Sequence, residues 1–178
     1  MIVAQARQSG IALLEALIGI LLFSLGILAM VSMQAASVNA VSDAQYRIEA
    51  VNASNQLLAQ MWTAVDRTSA ASVQASLLTF EHQTSGVPAD CNFSGTAASN
   101  AVVTGWLNRL NTGGPSGAPL LPGLDDAAQQ ASMQQIEIDT GARNRVTITL
   151  CWVAPGDRTK GPGGTPLFHR HTVVAYVN

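Results

Sequence analysis

From Ile11 to Met33 almost every position is apolar, a single charge (Glu15) interrupts the run, and no further charged residue occurs before Asp43. Twenty-three such residues predict a helix of about 34 Å, long enough to cross the hydrocarbon core of a bilayer. The pattern then changes. From Val38 onward, Val41, Ala44, Ile48, Val51, Asn55, Leu58, Trp62 and Val65 recur at alternating steps of three and four, while Asp43, Gln45, Arg47, Glu49 and Gln56 largely fill other faces. This is an amphipathic helical period. No proline precedes Pro88 and no glycine lies between Gly26 and Gly86, so one helix of about 85 Å is expected to run from the apolar segment to about Arg67. Its first half is apolar all round. Its second half offers one stripe, with Asn55 as the single polar member, on which a globular domain can pack.

Residues 68–80 predict a short second helix, weakened by serines, and 81–100 reads as a loop containing Pro88 and Cys91. Val102–Leu110 has apolar residues on one side, with Trp106 as the expected core anchor, and 112–123 is a Gly/Pro-rich connection ending Leu121-Pro122-Gly123. The last third switches to a period of two. Gln135–Thr140, Arg145–Val153 and His169–Val177 each alternate, the second with Val146, Ile148, Leu150 and Trp152 on one face and the third with His171, Val173, Ala175 and Val177. Three strands follow. Residues 141–144 are short enough to close a hairpin between the first two, and 154–167 forms a long loop before the third. The fold class expected is α+β, an antiparallel meander with one face on the long helix.

Composition narrows the setting. The chain has 178 residues and net charge −2, which is not the balance of a basic nucleic-acid binder. Only 11% of residues are charged, so the surface is built from small and uncharged polar side chains, a composition suited to packing against other proteins. Arg7 precedes the apolar run, and this weak positive-inside bias places the N-terminus in the cytoplasm and everything after Met33 on the periplasmic side or outside. In that compartment Cys91 and Cys151, the only two cysteines, invite a disulfide; two buried free thiols are the alternative. No third ligand at suitable spacing points to a metal.

A carboxylate inside an apolar helix costs about 2.5 to 3.5 kcal/mol on insertion scales and is read as functional. Cleavage after Gly10 would give Ile11 a new α-amino group one helical turn from Glu15. In a stack of identical helices the amine of one chain could meet the carboxylate of its neighbour, neutralising two buried charges and fixing the axial register. The string Gly10-Ile11-Ala12-Leu13-Leu14-Glu15 behind Arg7 resembles the processing site of type IV prepilins: a glycine, a hydrophobic new N-terminus and a glutamate fifth from the cut. The resemblance implies that a prepilin peptidase cuts between Gly10 and Ile11 and methylates Ile11, although the family's usual residue there is phenylalanine. It implies a pilin-like fold with a leader at 1–10, a membrane or filament-core half-helix at 11–38 and a periplasmic globular domain at 39–178. Ala12, Ala16, Gly19, Gly26 and Ala29 recur at three, four or seven, which allows close helix packing. A secretory signal or an ordinary uncut anchor would account for part of the stretch, but neither explains Glu15.

Trp106, Leu121-Pro122-Gly123 and the Ile148-x-Leu150-x-Trp152 strand are similar to features of the PilV family of minor pilins, the type IV pilus modification proteins. That likeness implies a role in starting pilus assembly. The partners it implies are prepilin peptidase, other minor pilins, the major pilin and the inner membrane, with no cofactor, small-molecule substrate or nucleic acid. A type II secretion pseudopilin of the I class is the nearest alternative. A tip adhesin or DNA-uptake subunit would use the loops at 112–123 and 154–167.

No catalytic set emerges. His169 and His171 point the same way from one strand, a candidate metal pair, but Asp157 and His82 stand at no diagnostic spacing, and a solvated strand edge is the plainer reading. Asp125-Asp126 suit the first turn of a short helix through Met133. The 161–164 segment lacks a phosphate loop's Gly-Lys-Ser/Thr ending, and no Gly-x-Ser-x-Gly nucleophile elbow exists.

Overall fold

A computed structural model describes residues 9–123, 132–157, 161 and 166–178, with side chains from Ile11 onward. The acidic pair at 125–126 with its expected helix, most of the 161–164 segment and all of the leader before Ser9 lie outside the described residues. The chain divides into two units, Met1–Val41 and Ser42–Asn178. Helix α1 spans Ser9–Ala64, and its residues from Ser42 onward belong to the second unit.

In Ser42–Asn178, α1 is followed by α2 (Ala70–Leu78), α3 (Ala101–Thr112) and three strands, β1 (Gln134–Asp139), β2 (Arg145–Trp152) and β3 (His169–Tyr176). The strands form one antiparallel sheet in the order β1-β2-β3. Ile136 faces Ile148, and Ile148 faces Val173, so the apolar positions of successive strands align on one side of the sheet. The hairpin closes with Arg143 and Asn144 at φ 58 and 53, supported by Ala142 N–H donating to Asp139 Oδ1 at 3.0 Å.

Helix α1 ends at Ala64 rather than Arg67. Asp66 accepts from the Thr68 N–H at 2.9 Å through its carboxylate, a local turn that competes with helix continuation. The serines expected to weaken α2 in fact start it: Ser69 is its N-cap and accepts from the Ser72 N–H at 3.0 Å. In α3, Asn100 caps the Val102 N–H at 2.9 Å. Trp106 is buried there, and its indole N–H donates to the Ala53 carbonyl of α1 at 2.9 Å.

The face of α1 that meets the core matches the expected stripe only in part. Leu58 packs against the core and Val65, just past the helix, is buried as expected, but the fully buried residues of the helix are Ala50, Ala53, Leu57 and Met61, whereas Ala44, Ile48, Asn55 and Trp62 are exposed. Small residues decide this. Ala50, Ala53 and Ser54 let neighbouring elements approach closely, and the buried Ser54 hydroxyl is satisfied by the Ala50 carbonyl at 2.8 Å.

The 81–100 segment is more than a loop. His82 exchanges two backbone hydrogen bonds with Ile136, at 3.0 and 2.9 Å, and so extends the sheet beyond β1. Ser85 pairs with Ser94 in a small bridge. Gly86 makes the tight turn with φ 111, where a Cβ would sit 2.6 Å from the Asn92 carbonyl oxygen. This segment carries Cys91, which is bonded to Cys151 on β2 with Cα atoms 5.8 Å apart. Strand β2 is therefore covered on both faces: Val146, Ile148, Leu150 and Trp152 on one, Thr149 and Cys151 on the other.

Candidate functional site

The first candidate is the described part of Met1–Val41. Every side chain from Ile11 to Val41 is exposed, and the most apolar window of the helix has a mean hydropathy of 2.5 with 0% of it buried. Burying a Leu, Ile or Phe contributes roughly 1.5 to 3 kcal/mol, and here that contribution is not made within the unit. A surface so extensive marks contact with lipid or with other chains. The helix is suited to such surroundings in its polar groups as well. Ser24 donates to the Ile20 carbonyl at 2.7 Å and Ser32 to the Ala29 carbonyl at 2.9 Å, so neither hydroxyl needs water. Glu15 alone among the side chains of residues 11–41 carries a charge.

Gly10 and Ile11 lie in the first turn of α1. Gly19 and Gly26 stand seven residues apart on one face, and a Cβ built on either meets nothing within 4 Å. Nothing inside this chain requires them to be small. The space beside them is open to a neighbouring helix.

A long apolar N-terminal helix whose later turns pack with a three-stranded antiparallel sheet defines the architecture. The fold is pilin-like. No family model, curated protein or solved structure matches the chain. Within the pilin-like frame, the Leu121-Pro122-Gly123 segment docks on the end of β2: Leu121 is fully buried, and the Val153 N–H donates to the Pro122 carbonyl at 3.0 Å.

The second candidate is a polar cluster in Ser42–Asn178. His169 contacts Asp157 Oδ2 through Nε2 at 2.7 Å and reaches Asp43 Oδ1 through Nδ1 at 3.4 Å. Its ring stacks on Trp152, with centroids 5.7 Å apart. The expected solvated strand edge is thus corrected: the His169 side chain is only 21% exposed and links α1, β3 and the turn at 155–157. The two carboxylates approach the two ring nitrogens, on opposite edges of the imidazole. No group of three metal-ligating side chains occurs among the described residues.

The other two histidines are shifted. His171 has its pKa lowered by burial and by the nearby Arg47 charge. His82 accepts the Ala98 N–H on Nδ1 at 3.1 Å, which puts its proton on Nε2, and Nε2 is buried without a hydrogen-bond partner. Desolvation lowers its pKa. His82 sits apart from the His169 cluster, on the far side of β1 from β2 and β3.

A depression of about 460 Å³ separates α1 from α3, with Gln56, Gln60, Thr63 and Arg109 among its lining. These side chains are amides, a hydroxyl and a guanidinium, all hydrogen-bonding groups. Sequence reasoning missed Asp43 as a partner of His169. The only available signal was that Asp43 is the first charge after the apolar run, 126 positions from the histidine it meets.

Proposed function

We propose that this chain is a minor type IV pilin of the PilV kind: a membrane-anchored structural subunit, cut between Gly10 and Ile11 by prepilin peptidase and methylated on Ile11. The observation that carries the reading is the unburied apolar helix from Ile11 to Val41 with its single carboxylate at Glu15. After cleavage the new amine of one subunit pairs with Glu15 of its neighbour, which cancels two charges that lipid or a filament core would otherwise hold unpaired. Gly19 and Gly26 then let helices approach closely. Other minor pilins and the major pilin are the partners, and the inner membrane and pilus are its two locations. The role is to help start pilus assembly, with no reaction catalysed by this chain.

The test uses the full-length precursor in cells that contain the peptidase. Gly10→Val should leave the precursor uncut, visible as lower gel mobility than wild type, and should abolish surface filaments. Glu15→Ala should still be cut, with Ile11 as the first residue on N-terminal sequencing, yet fail to enter filaments. Wild-type protein whose N-terminus is anything other than Ile11 would overturn the processing step, and normal incorporation of Glu15→Ala would overturn the charge pair.

A further inference from the structure

The chain contains two Asn-x-Ser sequences, Asn52-Ala53-Ser54 and Asn92-Phe93-Ser94. In an exported domain such a sequence is an acceptor for an N-linked glycan, provided that the carboxamide and the hydroxyl two residues on can be reached together. The fold separates the two. Ser54 is fully buried within α1, and its hydroxyl donates to the Ala50 carbonyl at 2.8 Å. That hydroxyl is not on offer.

The second sequence lies in the 81–100 segment, where exposure alternates: Asp90, Asn92 and Ser94 are exposed, and Cys91 and Phe93 are buried. The amide and the hydroxyl therefore share the outward side. Asp90, two residues before the asparagine, adds a carboxylate there that a cationic side chain of a modifying enzyme can hold. The backbone is fixed from within. Cys91 is joined to Cys151, the Phe93 N–H donates to the Ser132 carbonyl at 2.8 Å, and Ser94 and Ser85 exchange two backbone hydrogen bonds at 2.8 Å. A bulky group on Asn92 projects away from that packed side.

We propose that Asn92 is a glycosylation site. The donor is an oligosaccharide carried on a polyprenyl diphosphate, and an oligosaccharyltransferase of the exporting membrane transfers it. Asn92 Nδ2 bonds to the anomeric carbon as the bond from that carbon to the diphosphate oxygen breaks; the amide gives up one proton and the polyprenyl diphosphate leaves. The site rests on the exported placement of Ser42–Asn178 under the membrane-anchored reading. The same turn, closed by the Asp90 N–H on the Val87 carbonyl at 2.9 Å, leaves Val87 58% exposed, and a hydrated sugar nearby makes that surface more soluble.

Mass spectrometry of the full-length protein, purified from membranes of cells that make it natively, tests the site. After reduction, trypsin places Asn52 in the peptide 48–67 and Asn92 in 68–109. The second peptide should carry an added mass of whole sugar residues, located on Asn92 by fragmentation. Asn92→Gln and Ser94→Ala should lose it, Asp90→Asn should lower its occupancy severalfold, and Ser94→Thr, which keeps the hydroxyl, should retain it. Bare Asn92 in wild type, a glycan on Asn52 instead, or one that survives Ser94→Ala would overturn the inference. Protease added to spheroplasts keeps the two readings apart. Digestion of the globular unit with Asn92 bare removes only the glycan, whereas protection of that unit removes the export on which both depend.

Discussion

Replacing Cys91 and Cys151 together by alanine removes the covalent tie between the 81–100 segment and β2, and its cost can be worked from the chain. The cysteines are 60 residues apart, and closing a loop of that length in the unfolded ensemble is worth about 4 kcal/mol in the chain-entropy treatment. Domains of this size have roughly 5 to 15 kcal/mol in total, so the loss takes a large share of the stability. With a urea slope of about 2 kcal/mol/M, it lowers the unfolding midpoint by about 2 M. Both sulfurs are buried, so the space that alanine leaves unfilled adds to the loss. The assay is urea unfolding of the full-length protein in detergent, followed by tryptophan fluorescence, since Trp106 and Trp152 are buried in the core. Wild type in reductant should approach the midpoint of the variant. A double-alanine protein whose midpoint matches that of oxidised wild type would refute the reasoning, and would mean that the 81–100 segment is held by its backbone bridges alone.

Two more outcomes follow from the same unit. The His82 pKa is depressed by burial, so its neutral form contributes stability that is fully present above the unfolded value of 6.5 and is lost as pH falls below it towards the folded value. His82→Gln, which keeps an acceptor for the Ala98 N–H, should show a smaller loss of urea midpoint than wild type between about pH 7.5 and about pH 5; equal losses would exclude His82 as the source. Gly123 has φ +85, and a Cβ there would lie 2.9 Å from Val153 Cβ, so Gly123→Ala should destabilise by about 1 to 3 kcal/mol, read as a lower melting temperature; an unchanged value would show that the segment shifts freely.

Local rules gave the elements of this fold where a single element's own residues decide them. The strands, the 141–144 connection and α3 with Trp106 at its core each follow from a period or a turn written within a short stretch. The disulfide followed from having just two cysteines in an exported setting, and the pilin-like frame from the apolar helix with its glutamate. What could not be read depends on distant residues. The buried face of α1 is set by Ala50, Ala53 and Ser54, whose small size carries little weight in a hydropathy pattern but permits close packing, so the larger Ile48 and Trp62 drew the prediction partly off that face, while Leu58 and Val65 were placed on it correctly. The His169 cluster needs α1, the 155–157 turn and β3 assembled before its members meet. The 81–100 segment shows no period because one bridge at His82, one at Ser85 and a disulfide hold it, each a long-range contact.

The position of β2 has a consequence for how the protein breathes. It has a hydrogen-bonded neighbour along each edge and side chains packed above and below, so its amide protons can meet solvent only when the whole of Ser42–Asn178 comes apart. They should be the last in that unit to trade for deuterium. The protection they show reads out the free energy of opening the globular unit, with no added label.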